Sequence, residues 1–284
     1  MSGPTIIYVL GRGRSGSTYL ENVLSKQTGI TLLGESRLWP NEYRDGHDCS
    51  CGAAKTACPF WKPVMDSLPE AGASRAAFAK TIKRSFLASL LMPRALAARL
   101  FGGVWTHVPA FYRHVAEVHG DPIYLDSSKN PAFARLLASG LDVRIIHVVR
   151  HPLGVVYSWK RQRAKAGEAA LYQVRKNLFV AALEWTASNL LASLTKAISP
   201  GRSMVVHYEE MADPQVISDL IGFCGAAGGA GEAKSHAMAG NPGKSAREGD
   251  FRLDEEWRSA LSPWEKLLYG AVTMPLYIFY PRRR

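Results

Sequence analysis

The chain has 284 residues, 47% of them hydrophobic and 21% charged, which is ordinary for soluble globular proteins and sufficient for one large domain or two small ones. Lysine and arginine outnumber the acids 35 to 24, and the net charge of +11 with a pI near 9.6 favours an anionic ligand or an anionic surface. The basic residues are scattered rather than gathered in one stripe, and there is no nucleic-acid-binding motif and no transmembrane-length apolar run, so neither nucleic acid nor an integral membrane segment is expected as a partner. No signal peptide precedes the first apolar run, and a cytoplasmic location is expected.

Ile6 to Leu10 is a short run rich in β-branched and aromatic residues that ends at glycine, and it reads as a buried strand. Gly11, Gly13 and Gly16 then give a turn in which backbone can approach a ligand closely. Ser17 and Thr18 suit the first turn of a helix whose apolar face is Leu20, Val23 and Leu24. Strand, loop and helix start together form a pocket of backbone N–H groups at the positive end of a helix dipole, a site for phosphate or a similar anion. Gly11 and Gly16 fit the glycine spacing of the ATP-type phosphate loop, but Ser17 stands where that loop has its lysine. The positive charge lies inside the loop instead, at Arg12 and Arg14.

Ile30 to Leu33 reads as a second strand that delivers Glu35 near the glycine loop. Pro40 to Pro63 lacks periodicity and reads as a loop-rich insert containing Cys49, Cys51 and Cys58. Together with His47 these cysteines could supply four zinc ligands, yet the spacing is not C-x-x-C; a structured insert is the first reading and a metal the second. Cys224 stands alone in an apolar helix and reads as core. Ser74 to Phe101 is helical and broken near Pro93, and Pro109 to His119 forms another helix. Ile123 to Leu125 is a third strand, and Val143 to Val149 is the strongest strand signal, followed by a helix from Leu153 to Arg161. A long helix over Glu168 to Ile198 turns Leu171, Leu178, Leu183, Trp185 and Leu190 to the core, and Met204 to His207 is a further strand. Ala226 to Asp250 reads as a long functional or disordered loop, and two helical segments close the chain, the second capped by Ser262. Strands alternating with helices predict an α/β fold with a parallel sheet covered on both faces.

The run Gly11 to Thr18, G-R-G-R-S-G-S-T, resembles the 5′-phosphosulfate-binding loop of the sulfotransferases, which take a sulfuryl group from 3′-phosphoadenosine 5′-phosphosulfate (PAPS). The resemblance implies one domain over residues 1–284, with the insert at about 40–120 shaping the acceptor pocket. It implies donor contacts from Arg12, Gly13, Arg14, Ser15, Gly16, Ser17 and Thr18, with Arg14 stabilising the leaving phosphate. Gly34-Glu35 resembles the glutamate motif of the tyrosylprotein sulfotransferases, which makes Glu35 the expected base. Lys129, within Ser127-Ser128-Lys129-Asn130-Pro131, resembles the family's second cation. Arg150 and Ser158 resemble its 3′-phosphate site, where an arginine fork suits phosphate. Asn241, Pro242 and Lys244, with Arg247 nearby, resemble the late basic loop that closes over the nucleotide, with Lys244 in an arginine's place.

These residues imply transfer to the hydroxyl of an acceptor, whether carbohydrate, tyrosine or small molecule, with no metal required. Two other readings remain open. A phosphate-loop kinase would use Asp126 to hold magnesium, and a non-catalytic polyanion binder would use the net charge alone.

Overall fold

The apolar run near the start of the chain becomes the middle of a sheet. Its strand, β1 (Thr5–Gly11), pairs in parallel with β3 (Ile123–Asp126) on one side and β4 (Asp142–Val149) on the other. Outside these lie β2 (Ile30–Gly34) and β5 (Arg202–His207), giving the all-parallel order β2-β3-β1-β4-β5. The computed structural model describes residues 3–68, 94–165, 177–199, 202–226, 229, 231, 234–238, 251–280 and 282.

The period of two divides each strand between two cores. Ile6, Tyr8 and Leu10 of β1, with Val143 and Ile145 of β4, face one side, where Phe133 and Leu137 of α5 (Pro131–Ala138) pack. Ile7 and Val9, with Ile146 and Val148, face the other side, against Leu20 and Leu24 of α1 (Ser17–Ser25). A strand buried on both faces needs no polar positions, which is why these runs are continuously apolar. Leu220 and Cys224 of α8 (Pro214–Cys224) complete the second core, so Cys224 is a core residue as its surroundings in sequence predict.

The insert after β2 holds two short helices, α2 (Trp39–Glu42) and α3 (Trp61–Asp66), separated by turns. Helix α4 (Arg94–His119) runs through Pro109 as one element, where the sequence predicts two. Pro109 removes one helical hydrogen bond. Burial of Val108, Phe111, Tyr112 and Val115 holds the helix on the core across that gap, each large apolar side chain contributing about 1.5–3 kcal/mol.

Helices α6 (Pro152–Lys165), α7 (Leu178–Ile198) and α10 (Pro263–Tyr277) pack together beside β4. In α7 Trp185 is buried as expected, but Leu183 and Leu190 are 46% and 56% exposed, while the small residues Ala181, Ala182 and Ala192 take the inner face. The helix is apolar nearly all round, so periodicity cannot select its buried side. By length and composition α7 is the one described helix that could cross a membrane, yet its inner face packs on α5, α6, α10 and the sheet. Ser262 caps α10 as predicted, in a reciprocal capping box with Glu265. A short helix α9 (Trp257–Ala260) precedes it.

Candidate active site

All five strands point their carboxyl ends at one region, the usual ligand side of an open parallel sheet. The glycine loop leaves β1, Glu35 follows β2, residues 127–129 follow β3, Arg150 follows β4 and Tyr208 follows β5.

The loop is tightly determined. Gly11 has φ 134°, and a Cβ there would stand 2.4 Å from the Val148 carbonyl oxygen. Gly16 has φ 92° and caps α1 in the left-handed region, where a Cβ would meet the Tyr208 ring at 2.4 Å. No side chain caps α1, so its first amides remain open to a ligand. Ser15 donates its amide to the Arg12 carbonyl at 3.2 Å, and its buried hydroxyl has no protein partner. Open amides and an orphaned hydroxyl suit a phosphate-like group.

Arg14 takes φ 77°, a conformation that costs a residue with a side chain about 1–2 kcal/mol. Its Nε donates to Ser158 Oγ at 3.3 Å, and its carbonyl accepts from Arg150 Nη1 at 3.1 Å. Arg150 also reaches the Asp254 carboxylate at 3.2 Å and lies over the Tyr208 ring at 4.2 Å. Arg161 pairs with the same Asp254 at 2.8 Å. Burial, and the neighbouring charges of Arg161 and Arg150, lower the Arg14 pKa from its ordinary value. Arg161 also pairs with Glu256 at 2.8 Å, so two carboxylates serve the neighbouring guanidinium groups of Arg14, Arg150 and Arg161, and one positive charge is left in surplus. The structure therefore brings Arg14, Arg150 and Ser158 together and adds Arg161 and Asp254, which sequence reasoning missed. Arg161 lies one helical turn beyond Ser158 on α6, a spacing that could have signalled it.

Lys129 has φ 58°. Its ammonium donates to the Ser127 carbonyl at 2.9 Å, and lies 3.5 Å from Glu35 Oε1 and 3.9 Å from Glu21 Oε1. Tyr8 anchors the same loop from the core: its hydroxyl donates to the Asn130 carbonyl at 3.0 Å and accepts the Asn130 amide at 3.1 Å. Arg37 flanks Glu35 from the other side at 3.8 Å. Burial raises the pKa of Glu21, which also bonds Ser127. Glu21 was missed too, although it lies one turn from Ser17 and Thr18 on the face of α1 that meets the ligand region.

A cavity of about 710 Å³ joins these groups, within the range typical of ligand sites. Arg14, Ser17, Thr18, Glu21, Glu35 and Lys129 line one part of it, and Gly13 also reaches it. Glu42, His47, Asp48 and Lys55 bring the insert into its wall.

Several expectations change. The Arg12 guanidinium is engaged by Glu184 of α7, so its charge is already balanced. Asn241, Pro242, Lys244 and Arg247 lie outside the described residues. His47 does not join the three cysteines: its Nδ1 pairs with Glu42 at 3.1 Å, and the imidazole beside the thiols is His236. Trp39, Phe60 and Trp61 of the insert are buried in the core and offer no open face to an acceptor ring. Asp126 is fully buried and accepts from Ser36, Tyr112 and the Ser128 amide. Burial raises its pKa. A carboxyl so enclosed is in no position to hold magnesium, and the kinase reading loses its metal ligand.

A sequence profile of the sulfotransferase family matches residues 4–227. No curated protein sequence matches the chain. Among solved structures, the sulfotransferase domain of the Synechococcus PCC 7002 olefin synthase is similar with a TM-score of 0.52 and 18% identity, over 100% of this chain and 98% of that one. The sulfotransferase STF9 from Mycobacterium avium aligns with a TM-score of 0.46 and 12% identity, over 100% of this chain and 78% of that one. The former likeness is one of fold: a five-stranded parallel sheet flanked by helices. With the profile spanning most of its length, the chain belongs to the sulfotransferase family.

Proposed function

We propose that the chain transfers a sulfuryl group from PAPS to the hydroxyl of a polar acceptor. The observation that carries this reading is one cavity lined by both Arg14 and the Glu35–Lys129 pair. When bound, PAPS supplies a sulfuryl group whose S–O bond to the 5′-phosphate breaks as a new S–O bond forms to the acceptor oxygen. The glycine-loop amides and the Ser15 hydroxyl hold the phosphosulfate end, and Arg150 with Ser158 holds the 3′-phosphate. Glu35 accepts the acceptor's hydroxyl proton. Arg14 and Lys129 neutralise the charge that gathers on the leaving phosphate oxygen. These cations do for the transfer what a metal does in many phosphoryl enzymes, so the chemistry requires none. The polar side chains of Glu42, His47, Asp48 and Lys55 fit a polar acceptor such as a sugar better than a flat apolar one.

The test is titration with adenosine 3′,5′-bisphosphate, the donor without its sulfuryl group, beside ATP–Mg²⁺. The bisphosphate is expected to bind, and Arg150→Ala to weaken it at least about tenfold through loss of a charge-assisted contact. Binding of ATP–Mg²⁺ with no response to the bisphosphate would sink the reading. Salt-sensitive DNA binding indifferent to Arg150→Ala would instead favour a polyanion binder.

A further inference from the structure

The insert and the late part of the chain meet at four soft side chains. Cys49, Cys51, Cys58 and His236 each turn one ligand atom to a common point, and those atoms all lie within 4.8 Å of one another. Cys51 Sγ is 3.6 Å from Cys58 Sγ, and Cys58 Sγ is 3.6 Å from His236 Nδ1. In a zinc tetrahedron with ordinary bond lengths, two sulfurs stand about 3.8 Å apart and a sulfur and a nitrogen about 3.6 Å. The spacing is far from the roughly 2.05 Å of a disulfide, and all these cysteines are free thiols.

The scaffold positions the ligands before any metal arrives. Gly52, at φ 89°, donates its amide to the Cys49 carbonyl at 2.9 Å, and Cys49 donates to Ala53 at 2.8 Å, forming a tight turn around Cys51. His236 is fixed by its backbone: its amide donates to Leu32 of β2 at 2.9 Å and its carbonyl accepts from Trp61 Nε1 at 2.7 Å. Its ring stacks on Phe60, with centroids 4.7 Å apart and planes within 10°.

We propose that Cys49, Cys51, Cys58 and His236 form a structural zinc site that fastens the insert to the segment running beside β2. Three thiolates and an imidazole select zinc over magnesium or calcium, which prefer oxygen. The protein fills all four positions, so no coordination place is left for substrate and the metal takes no part in the transfer. Its effect on the active site is mechanical. Ser235, Ala237 and Met238, either side of His236, line the large cavity, and the metal braces that wall. The proposal stands independently of the choice of donor or acceptor.

The experiment is metal analysis of the full chain, purified without a metal resin and under reducing conditions. One zinc per chain is expected. Cobalt added to the metal-free protein should give the intense visible bands of a tetrahedral thiolate site. Cys58→Ser and His236→Ala should lose those bands, His236→Cys should keep them, and His47→Ala should leave them unchanged. If the first two variants do not fold, the wild-type cobalt spectrum with its thiol count decides alone. A wild-type chain with four free thiols that takes up no zinc and gives only the weak octahedral cobalt spectrum overturns the proposal. So does zinc retained at full stoichiometry by soluble Cys58→Ser and His236→Ala. Bisphosphate binding plays no part in these readouts, so failure here leaves the sulfotransferase reading standing.

Discussion

Arg14 and Lys129 are the two residues other than glycine that hold a left-handed backbone among the described residues, with φ 77° and 58°. They sit on separate loops, after β1 and after β3, and both line the same cavity. Side-chain residues occupy this region only when their surroundings over-determine it, and such strain gathers at functional sites. Here Ser158 and Arg150 fix Arg14, while Glu35 and the Ser127 carbonyl fix Lys129.

Relief of that strain gives the first expected outcome. Arg14→Gly removes the backbone penalty and the repulsion from Arg150 and Arg161, and is expected to raise stability by about 1 kcal/mol. Sulfuryl transfer should fall by at least about a hundredfold, because the charge on the leaving oxygen is no longer met. Denaturant unfolding and turnover measured on one preparation check the pair. A variant that is both less stable and fully active contradicts it.

Glu35 tests the proton step. Glu35→Gln keeps the shape and the contact with Lys129 but accepts no proton. Turnover is expected to fall about 10²–10⁴-fold, while the Kd for adenosine 3′,5′-bisphosphate stays within a few fold. Should Glu35→Gln turn over normally and Glu21→Gln not, the base is Glu21, whose carboxyl burial already pushes toward neutrality.

Asp254 balances two arginines. Asp254→Asn removes the carboxylate partner of Arg150 and leaves Arg161 only Glu256, and the unliganded protein should lose about 1–3 kcal/mol of stability. The bisphosphate should bind more tightly and produce a larger thermal shift than in wild type, since the anion now supplies the missing charge. An unchanged shift would mean that Arg150 and Arg161 do not face the ligand.

The pH dependence follows from a buried histidine. Burial, with the nearby Lys196 charge, pushes the His147 pKa down to about 3, and its neutral ring bonds Asn189 at 2.9 Å. In the unfolded chain it titrates near its ordinary value of about 6.5. Between these values the unfolded state binds a proton that the native state does not, so stability is full above pH 6.5 and falls as pH drops toward 3. At pH 5 the loss is about 2 kcal/mol. His147→Gln is expected to flatten the stability profile between pH 7 and pH 5 by that amount in chemical unfolding. A profile as steep as wild type would assign the slope to other groups.

The continuously apolar strands, the glycine loop and the helix start after it were legible in the sequence, because a doubly buried strand and a left-handed turn each admit few residue types. So were the two cation-bearing loops, Arg14 and Lys129, through their resemblance to a known pattern. The break predicted before Pro109 was not real, because burial along the helix outweighed one missing hydrogen bond, and the inner face of α7 was misread because apolar residues surround it. Arg161 and Glu21 carried only a helical spacing, to Ser158 and to Ser17 and Thr18, and Asp254 carried no local mark: their significance is whom they face.

The sequence by itself determined the layered α/β frame and the loop that offers amides to an anion, since both follow from short-range periodicity and backbone sterics. Only the tertiary structure decided that Arg12 is held by Glu184, that Asp126 is closed off, and that His236 rather than His47 stands beside the thiols. Those outcomes depend on pairs separated by tens to hundreds of positions, where burial and charge compensation act between elements that local pattern cannot place in register.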